Sequence, residues 1–360
     1  MKTIHNVQLL RAVAAYMVVG HHILHGLHNR HGVSKELTLG AAGVDIFFVI
    51  SGFIMVYTTS TRALKPWTFL TNRAVRIYPM YWCILAVVVA LSLAGLRPVG
   101  LQAWDNGDLI SSILLVPNER ADGQPTPLLT VAWTLVYEMF FYLVFAVSLG
   151  LKASARARVV LISGLFVLFC AVHVVLKPTA FAAQVYTNPL LLEFCAGCWL
   201  GLLYPRLKTW SKGNLRALGT GALVLGLLGF AYSAATHGHV LHKLTSCMAR
   251  ATWFGIPAAL VILAVLALEQ GGLAFRHREV IRQGDASYST YLIHHLLVHI
   301  VLKAMSRLGE AGALWLIVAS SLVTFVVSGF AGTLLHLYLE KPLGQFMRRA
   351  TSPRAPAVST

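Results

Sequence analysis

The chain has 360 residues, of which 57% are hydrophobic and 12% are charged, and its formal net charge is +16 at pH 7. Soluble globular domains carry about 25% charged residues, so this composition excludes an ordinary soluble protein. The many apolar segments instead predict an all-α, polytopic integral membrane protein. The positive charge follows the connections between these segments, and we therefore interpret it as a topology signal rather than a nucleic-acid surface.

The first apolar segment, residues 9–26, reads LLRAVAAYMVVGHHILHG. No small-x-small cleavage site follows it, so we interpret it as a membrane span rather than a cleaved signal peptide. Arg11 and His22 are eleven residues apart, which places them on one helical face about 16 Å apart along the axis. Because a buried arginine is costly in lipid, this polar stripe indicates a functional face rather than a lipid-facing one.

Ten apolar segments near the length of a membrane-spanning helix follow one another along the chain. They cover residues 8–27, 41–60, 77–96, 130–149, 158–176, 187–204, 217–235, 251–269, 286–306 and 314–338. The sequence therefore predicts a bundle of about ten transmembrane helices.

Lysine and arginine are distributed unevenly between these segments. Of the 29 basic residues, 19 lie at the N-terminus, in the C-terminal tail or in even-numbered connections, and nine lie in odd-numbered ones. Since basic residues concentrate on the cytoplasmic side, both termini are predicted to be cytoplasmic and 97–129 is the longest outer loop. We expect one membrane domain, 1–343, followed by a basic, disordered cytoplasmic tail, 344–360.

The five cysteines lie in or beside apolar segments, which argues against an extracellular disulfide framework. Cys195 and Cys198 form a CxxC motif, CAGC, inside the sixth predicted span. Without the soluble βαβ context of a redox pair, we interpret this motif as small residues that pack between helices.

Ionisable groups in other spans lie on the same predicted side of the membrane as His22. Asp45 and Ser51 belong to the second span and Glu138 to the fourth. A carboxylate beside an imidazole would fix its tautomer and support its action as a general base. Asp45 or Glu138 is thus a candidate partner of His22, and a structural salt bridge to an arginine is the alternative for each.

The stretch FLTNRAVRIYPMYW places Arg73 and Arg76 three residues apart, on one helical face at the cytoplasmic surface. Paired guanidinium groups suit phosphate, to which they donate two parallel hydrogen bonds. The alternative is that they serve only topology and contacts with lipid headgroups.

Taken together and in order, these stretches resemble membrane acyltransferase family 3, the integral-membrane O-acyltransferases of bacterial surface glycans. Arg11 and His22 match the family's Arg-x10-His in the first helix. GVDIFFVISGF, FLTNRAVRIYPMYW and AWTLVYEMFFY match three further motifs, with Thr134 in place of a serine. The last motif has two parts: the family's Ser-Tyr-x-x-Tyr-Leu-x-His stretch matches ASYSTYLIHHLL, and its closing Glu-Lys-Pro matches YLEKP. The resemblance therefore covers about residues 4–343.

The resemblance implies an O-acyltransferase, in particular an O-acetyltransferase, in the bacterial cytoplasmic (inner) membrane. It implies acetyl-CoA or another acyl-CoA as a cytoplasmic co-substrate. It also implies a sugar hydroxyl of an exopolysaccharide or other surface glycan, free or lipid-linked, as acceptor. No permanently bound cofactor, no metal and no nucleic-acid partner are expected, and the bilayer is the remaining partner.

The candidate site residues fall into three groups. We assign catalysis to His22, Asp45 and Glu138; donor binding to Arg11, Arg73 and Arg76; and supporting roles to Ser51, Tyr142 and His294.

Two other classes of protein use polar groups inside the membrane. A proton-coupled transporter or exporter would use the same histidines and carboxylates as a proton relay. The sequence shows no internal repeat of the kind many transporters carry, which disfavours this alternative. A haem or quinone protein would use the histidine pairs as ligands, and it would be coloured after purification.

Overall fold

The computed structural model describes residues 3–31, 38–60, 64–96, 101, 103–241, 247–305 and 314–351. Within these ranges all regular structure is helical, which confirms the predicted all-α class. The helices are α1 His5–His31, α2 Ala42–Thr59, α3 Pro66–Leu93, α4 Asn106–Leu114, α5 Trp133–Gly150, α6 Ala155–Leu176, α7 Phe181–Tyr186, α8 Leu191–Leu207, α9 Lys212–Leu241, α10 Cys247–Arg250, α11 Ile256–Gln270, α12 Arg278–Asp285, α13 Ser287–Met305, α14 Leu314–Leu335 and α15 Lys341–Thr351.

Nine helical segments in the described part of the chain are long and apolar enough to cross a membrane. They are His5–His28, Leu39–Thr59, Pro66–Leu93, Thr130–Gly150, Ala155–Leu176, Phe181–Leu207, Lys212–His237, Met248–Gln270 and Val318–Ala350. The remaining predicted span, 286–306, is helix α13 of 19 residues, which is not among the nine. Its serines and histidines make it too polar to stand alone as a span, and it packs against α1 and α14.

Helix α3 begins eleven residues before the start of the predicted third span at 77. Pro66 occupies its first turn, where a missing N–H costs nothing and the fixed φ favours a helix. Arg73 and Arg76 therefore lie within a continuous helix, and their side chains are held in a fixed relation to the span that follows.

Helices α2 and α8 approach closely through glycine. A Cβ on Gly52 would collide with the carbonyl oxygen of Phe194, and a Cβ on Gly197 with that of Val49. The Cys198 thiol donates to the Gly52 carbonyl at 3.6 Å, and Cys195 and Cys198 are both free and buried. The CAGC motif thus serves helix packing, and this contact fixes α2 beside the site described below.

The N-terminus of α1 is capped by a carboxylate from α11. Glu269 accepts from the backbone N–H groups of His5 at 3.0 Å and of Asn6 at 2.7 Å. The first N–H groups of a helix have no partner within it, and the helix dipole favours a negative charge there. This cap fixes the start of α1, which carries Arg11 and His22.

The predicted outer loop contains the short helix α4, whose first turn is closed by a capping box between Asp105 and Asp108. Asp108 also accepts from the amide of Asn118 at 2.7 Å and from a backbone N–H in the same loop. Arg120 pairs with Asp122 and is 6% exposed. The acidic residues of this loop therefore hold its fold together.

Helix α15 extends to Thr351, into the segment predicted as a disordered tail. Its last turn carries Arg348 and Arg349, as expected for cations near a helix C-terminus, and the helix packs against α3. Residues 352–360, where the rest of the predicted tail falls, lie outside the described residues.

Candidate active site

A cavity of about 370 Å³ lies between α1, α2, α3, α5 and α13. It brings together six of the nine candidate residues, which come from four of these helices. They are Arg11, Ser51, Arg73, Arg76, Glu138 and Tyr142. The three predicted donor-binding arginines thus line one cavity, although the sequence places Arg11 in the first span and the other two just before the third.

The arginines that line the cavity differ in their hydrogen bonds and ring contacts. Arg11 donates to the side chain of Gln8 at 3.1 Å. The Arg73 guanidinium lies 5.7 Å from the ring centre of Phe69 and 5.9 Å from that of Tyr142. The Nε of Arg73 is buried and has no hydrogen-bond partner among the described residues. An unpaired buried donor is costly, and because this atom exposes no surface to the cavity, a ligand reaches it only when the side chain moves.

A hydroxyl–carboxylate cluster lies in the same cavity. Ser51 donates to Oε1 of Glu138 at 2.9 Å, and its Oγ lies 3.1 Å from the Tyr142 hydroxyl. Tyr142 also donates to the same carboxylate oxygen. Glu138 is therefore committed to Ser51 and Tyr142, and within the described chain it makes no hydrogen bond to His22.

The cavity is long and follows helix α2. Its lining on that helix runs from Val44 to Thr58, which is about 21 Å at 1.5 Å per residue. Val44 marks one end, which Tyr291 of α13 also lines. With the predicted topology, the Thr58 end faces the cytoplasm.

His22 lies outside this cavity and pairs with His294. Its Nδ1 is 3.0 Å from the carbonyl oxygen of Val18 and 3.2 Å from Nε2 of His294. Nδ1 of His294 lies 2.6 Å from the carbonyl of Tyr291. The consistent tautomers have Nδ1–H on both rings, so His22 donates toward Val18 and His294 and keeps the lone pair on its Nε2.

Asp45 does not orient His22. It is fully buried, and its two oxygens accept from Nε and Nη2 of Arg250 at 3.0 and 2.8 Å. Arg250 also lies over the ring of Trp133 at 5.8 Å. The expected pairing of His22 with Asp45 or Glu138 is thus replaced by a backbone carbonyl and a second histidine. Asp45 takes the alternative role, a buried structural salt bridge.

Tyr291 connects the cavity to the histidine pair. It lines the Val44 end of the cavity, and its ring centre is 5.7 Å from that of His294. Its hydroxyl donates to the Val131 carbonyl at 2.7 Å and lies 2.9 Å from Oγ1 of Thr134. The motif ASYSTYLIHHLL contained both Tyr291 and His294, but only the fold shows that the tyrosine stands between the cavity and His22.

Other histidines surround this pair. The ring centre of His22 is 4.8 Å from that of His295 and 5.3 Å from that of His21. In the part of the chain that the structure describes, no group of three or more histidine, cysteine or acidic residues is arranged to hold a metal ion.

The comparisons with known proteins identify the family of the chain. The profile of the acyltransferase domain family matches residues 4–333, which is most of the chain. The chain belongs to acyltransferase family 3. Family membership makes it an acyl-transferring membrane enzyme of the O-acyltransferase type, and it disfavours the transporter and haem-protein alternatives.

Three relatives in this family show the range of similarity. The exopolysaccharide production protein ExoZ of Rhizobium meliloti is 35% identical over 334 residues, covering 92% of this chain and 96% of ExoZ. The acyltransferase MdmB of Streptomyces mycarofaciens is 27% identical, covering 88% and 85% of the two chains. The putative peptidoglycan O-acetyltransferase YrhL of Bacillus subtilis is 26% identical, and the match covers 93% of this chain and 54% of YrhL. No solved structure matches the chain.

Proposed function

We propose that this protein is an O-acetyltransferase of the bacterial cytoplasmic membrane. It takes the acetyl group from cytoplasmic acetyl-CoA and transfers it to a sugar hydroxyl of an exopolysaccharide or other surface glycan. The single observation that carries the donor assignment is the cavity that three arginines line. The acceptor class rests on the likeness to ExoZ, whose name records exopolysaccharide production.

The donor's charge fits the entrance of the cavity. Coenzyme A carries several phosphate charges, and guanidinium groups bind phosphate through paired, charge-assisted hydrogen bonds. Arg76 lines the cavity and is exposed, and Arg73 lies about one helical turn before it on the same helix. In this arrangement the phosphates stay near the Arg73–Arg76 face, and the thioester extends past Ser51 toward Tyr291.

His22 is the proposed general base of the transfer. Its Nε2 lone pair takes the proton of the acceptor hydroxyl while that oxygen attacks the thioester carbonyl. The carbon–sulfur bond breaks, the thiolate leaves as coenzyme A, and the proton passes to the thiolate through solvent. His294 and the Val18 carbonyl position the imidazole by holding its Nδ1–H.

The proposal is tested with purified protein in lipid nanodiscs, radiolabelled acetyl-CoA and exopolysaccharide from cells that lack the gene. Transfer of label to the polysaccharide, released by mild base as expected of an ester, is the expected result. The double variant Arg73→Ala, Arg76→Ala should require a much higher acetyl-CoA concentration. The proposal is overturned if the unaltered protein transfers no label, or if an acyl donor without coenzyme A serves equally well.

A further inference from the structure

A second cavity, of about 700 Å³, lies on the opposite face of helix α5. Trp133 and Tyr137 line this second cavity, whereas Thr134 and Glu138, each one residue further along, line the first. Neighbouring residues on a helix are about 100° apart, so one helix presents different side chains to the two spaces. The first turn of α5 is therefore a thin wall between the donor cavity and this outer groove.

Two connections that the sequence places outside the membrane complete the outer groove. They are the stretch from Val116 to Pro127, before α5, and the stretch from Lys177 to Thr179, between α6 and α7. Arg120 holds the first stretch by its ion pair with Asp122 and by a hydrogen bond to the carbonyl of Pro127. Because these ties close the loop on itself, the groove exists before any ligand binds.

The lining of the groove combines aromatic faces with neutral hydrogen-bonding groups. Trp133, Tyr137 and Phe181 supply the rings, and Gln184 supplies an exposed amide, whose Nε2 donates to the Thr179 carbonyl at 3.1 Å. The amide of Asn188 is buried and is committed to the Tyr137 hydroxyl and the Leu190 N–H. A sugar ring has an apolar C–H face, which packs on aromatic rings, and a rim of hydroxyls, each of which donates and accepts. A groove with both kinds of group therefore matches a carbohydrate on its face and on its edge.

We propose that this outer groove binds a segment of the acceptor glycan and presents it to the wall beside the donor cavity. The inference rests on the proposed function, because it assigns the acceptor of that reaction to a place. Cavities of about 300–1,000 Å³ hold ligands of the size of a short oligosaccharide. The groove's position then explains how an acceptor outside the membrane meets a donor that enters from the cytoplasm.

An anionic phospholipid headgroup is the competing occupant, and the charges of the groove disfavour it. The charged side chains that line it, Glu119 and Lys177, have opposite signs and are both exposed. An anionic headgroup would meet one cation and one anion there, whereas the donor cavity on the other face of α5 is strongly cationic. Sugar hydroxyls fit both charged groups, because a hydroxyl donates a hydrogen bond to Glu119 and accepts one from Lys177.

The test fills the groove without touching the donor cavity. Thr179 lines the groove and is exposed, and Ala182, three residues later, is exposed but does not line it. Thr179→Trp is therefore the blocking variant and Ala182→Trp its matched control. Gln184→Ala removes one hydrogen-bonding amide with no added bulk, and Gln345→Ala, at an exposed position of α15 that lines neither cavity, is its control.

Two readouts are measured in nanodiscs with oligosaccharide fragments of exopolysaccharide from cells that lack the gene. Saturation-transfer NMR reports binding of the fragments without turnover, and the acetyl-transfer assay gives the KM for fragment and for acetyl-CoA. Thr179→Trp should abolish the saturation-transfer signal and raise the fragment KM roughly tenfold or more, as a steric block does. Gln184→Ala should raise it about threefold to tenfold, the value of one hydrogen bond.

In both groove variants the KM for acetyl-CoA should stay within about twofold of its value in the unaltered protein. Both control variants should match the unaltered protein in fragment binding and in both KM values. Unchanged fragment binding in Thr179→Trp overturns the groove assignment, even if transfer is confirmed. A change in co-purified phospholipid with unchanged fragment binding identifies a lipid site instead, and also overturns it. Failure of transfer with normal, groove-dependent fragment binding counts against the proposed function and supports the groove.

Discussion

At the scale of single residues, the two adjacent histidines of α1 make different contacts. His22 shares a hydrogen bond with His294, whereas the Cβ of His21 packs beside Gly40 at the start of α2. We expect His22→Ala to lower acyl transfer by about 10²–10⁴-fold, the usual contribution of a general base, and His21→Ala to have a milder effect. Both variants should still bind acetyl-CoA, since neither histidine lines the donor cavity.

The measurement is acetyl transfer by membranes with matched amounts of each variant, together with donor binding by the purified proteins. Near-normal turnover in His22→Ala would remove this residue as the base. Equal inactivation by His21→Ala would show that the contact with His294 does not distinguish the two.

Arg73 gives a second expectation at this scale, because its Nε is buried without a partner. Arg73→Ala should raise the KM for acetyl-CoA with a smaller change in kcat, as loss of a binding contact does. Arg73→Lys should restore the function only in part, since an ammonium cannot reproduce the paired geometry of a guanidinium. Arg206→Ala, at an exposed arginine in the last turn of α8 that does not line the donor cavity, is the control.

Steady-state kinetics with varied acetyl-CoA and a fixed glycan concentration measures this effect. If Arg73→Ala folds normally and its donor KM matches that of Arg206→Ala, Arg73 does not bind the donor.

Asp45 should act through stability, because it forms a buried pair with Arg250. Asp45→Asn leaves the arginine without its counter-charge, and breaking such a pair costs about 3–5 kcal/mol. Glu279→Gln breaks the exposed pair with Arg282, whose side chains are 52% and 45% exposed, and such surface pairs contribute about 0–1 kcal/mol. Thermal unfolding in detergent should therefore separate the two variants clearly.

If instead Asp45→Asn unfolds at the same temperature as the unaltered protein but loses activity, the carboxylate has a chemical role. The contact with Arg250 would then not explain its place in the GVD motif.

At the scale of helices, the close approach of α2 and α8 positions Ser51 and its neighbours. Gly52→Ala would place a methyl group against the Phe194 carbonyl, which belongs to the backbone and cannot move aside cheaply. Overpacking of this kind costs about 1–3 kcal/mol, so Gly52→Ala should lower the unfolding temperature and the transfer rate together. Gly164→Ala is the matched control, because a Cβ there meets nothing within 4 Å.

For Gly164→Ala the expected change is neutral or a gain of up to about 1 kcal/mol, the difference in helix propensity. An unfolding temperature for Gly52→Ala at or above that of Gly164→Ala would show that the two helices can separate without cost.

At the scale of the whole molecule, the proposed reaction has the donor and the acceptor approach from opposite sides of the membrane. The distribution of lysine and arginine predicts cytoplasmic termini and an outer loop at 97–129. A reporter that is active only outside the cytoplasm should therefore be active when inserted at 123–124 and inactive when fused after residue 350. An active C-terminal fusion would show that the orientation is the reverse of the predicted one. The proposed sides of the donor cavity and the outer groove would then be wrong as well.

Local pattern was sufficient to determine the helical class, most of the spans and six of the residues that line the first cavity. Apolar segments of fixed length, helical spacing and the cost of charge in lipid are properties of neighbouring residues, so they can be read along the chain. The polar character of α13 and the early start of α3 show the limits of this reading. A helix such as α13, which other helices enclose, needs no fully apolar surface. A helix such as α3 can begin well before its apolar part.

The partners of the buried polar groups were decided only by the tertiary structure. Asp45 meets Arg250, which is 205 positions away, and His22 meets His294, which is 272 positions away. A carboxylate in the second span is compatible with any cation or imidazole at the same depth, and nothing local selects between them. The choice depends on which helices are neighbours, and that arrangement gave Asp45 an arginine, gave His22 a second histidine and formed the outer groove beside α5.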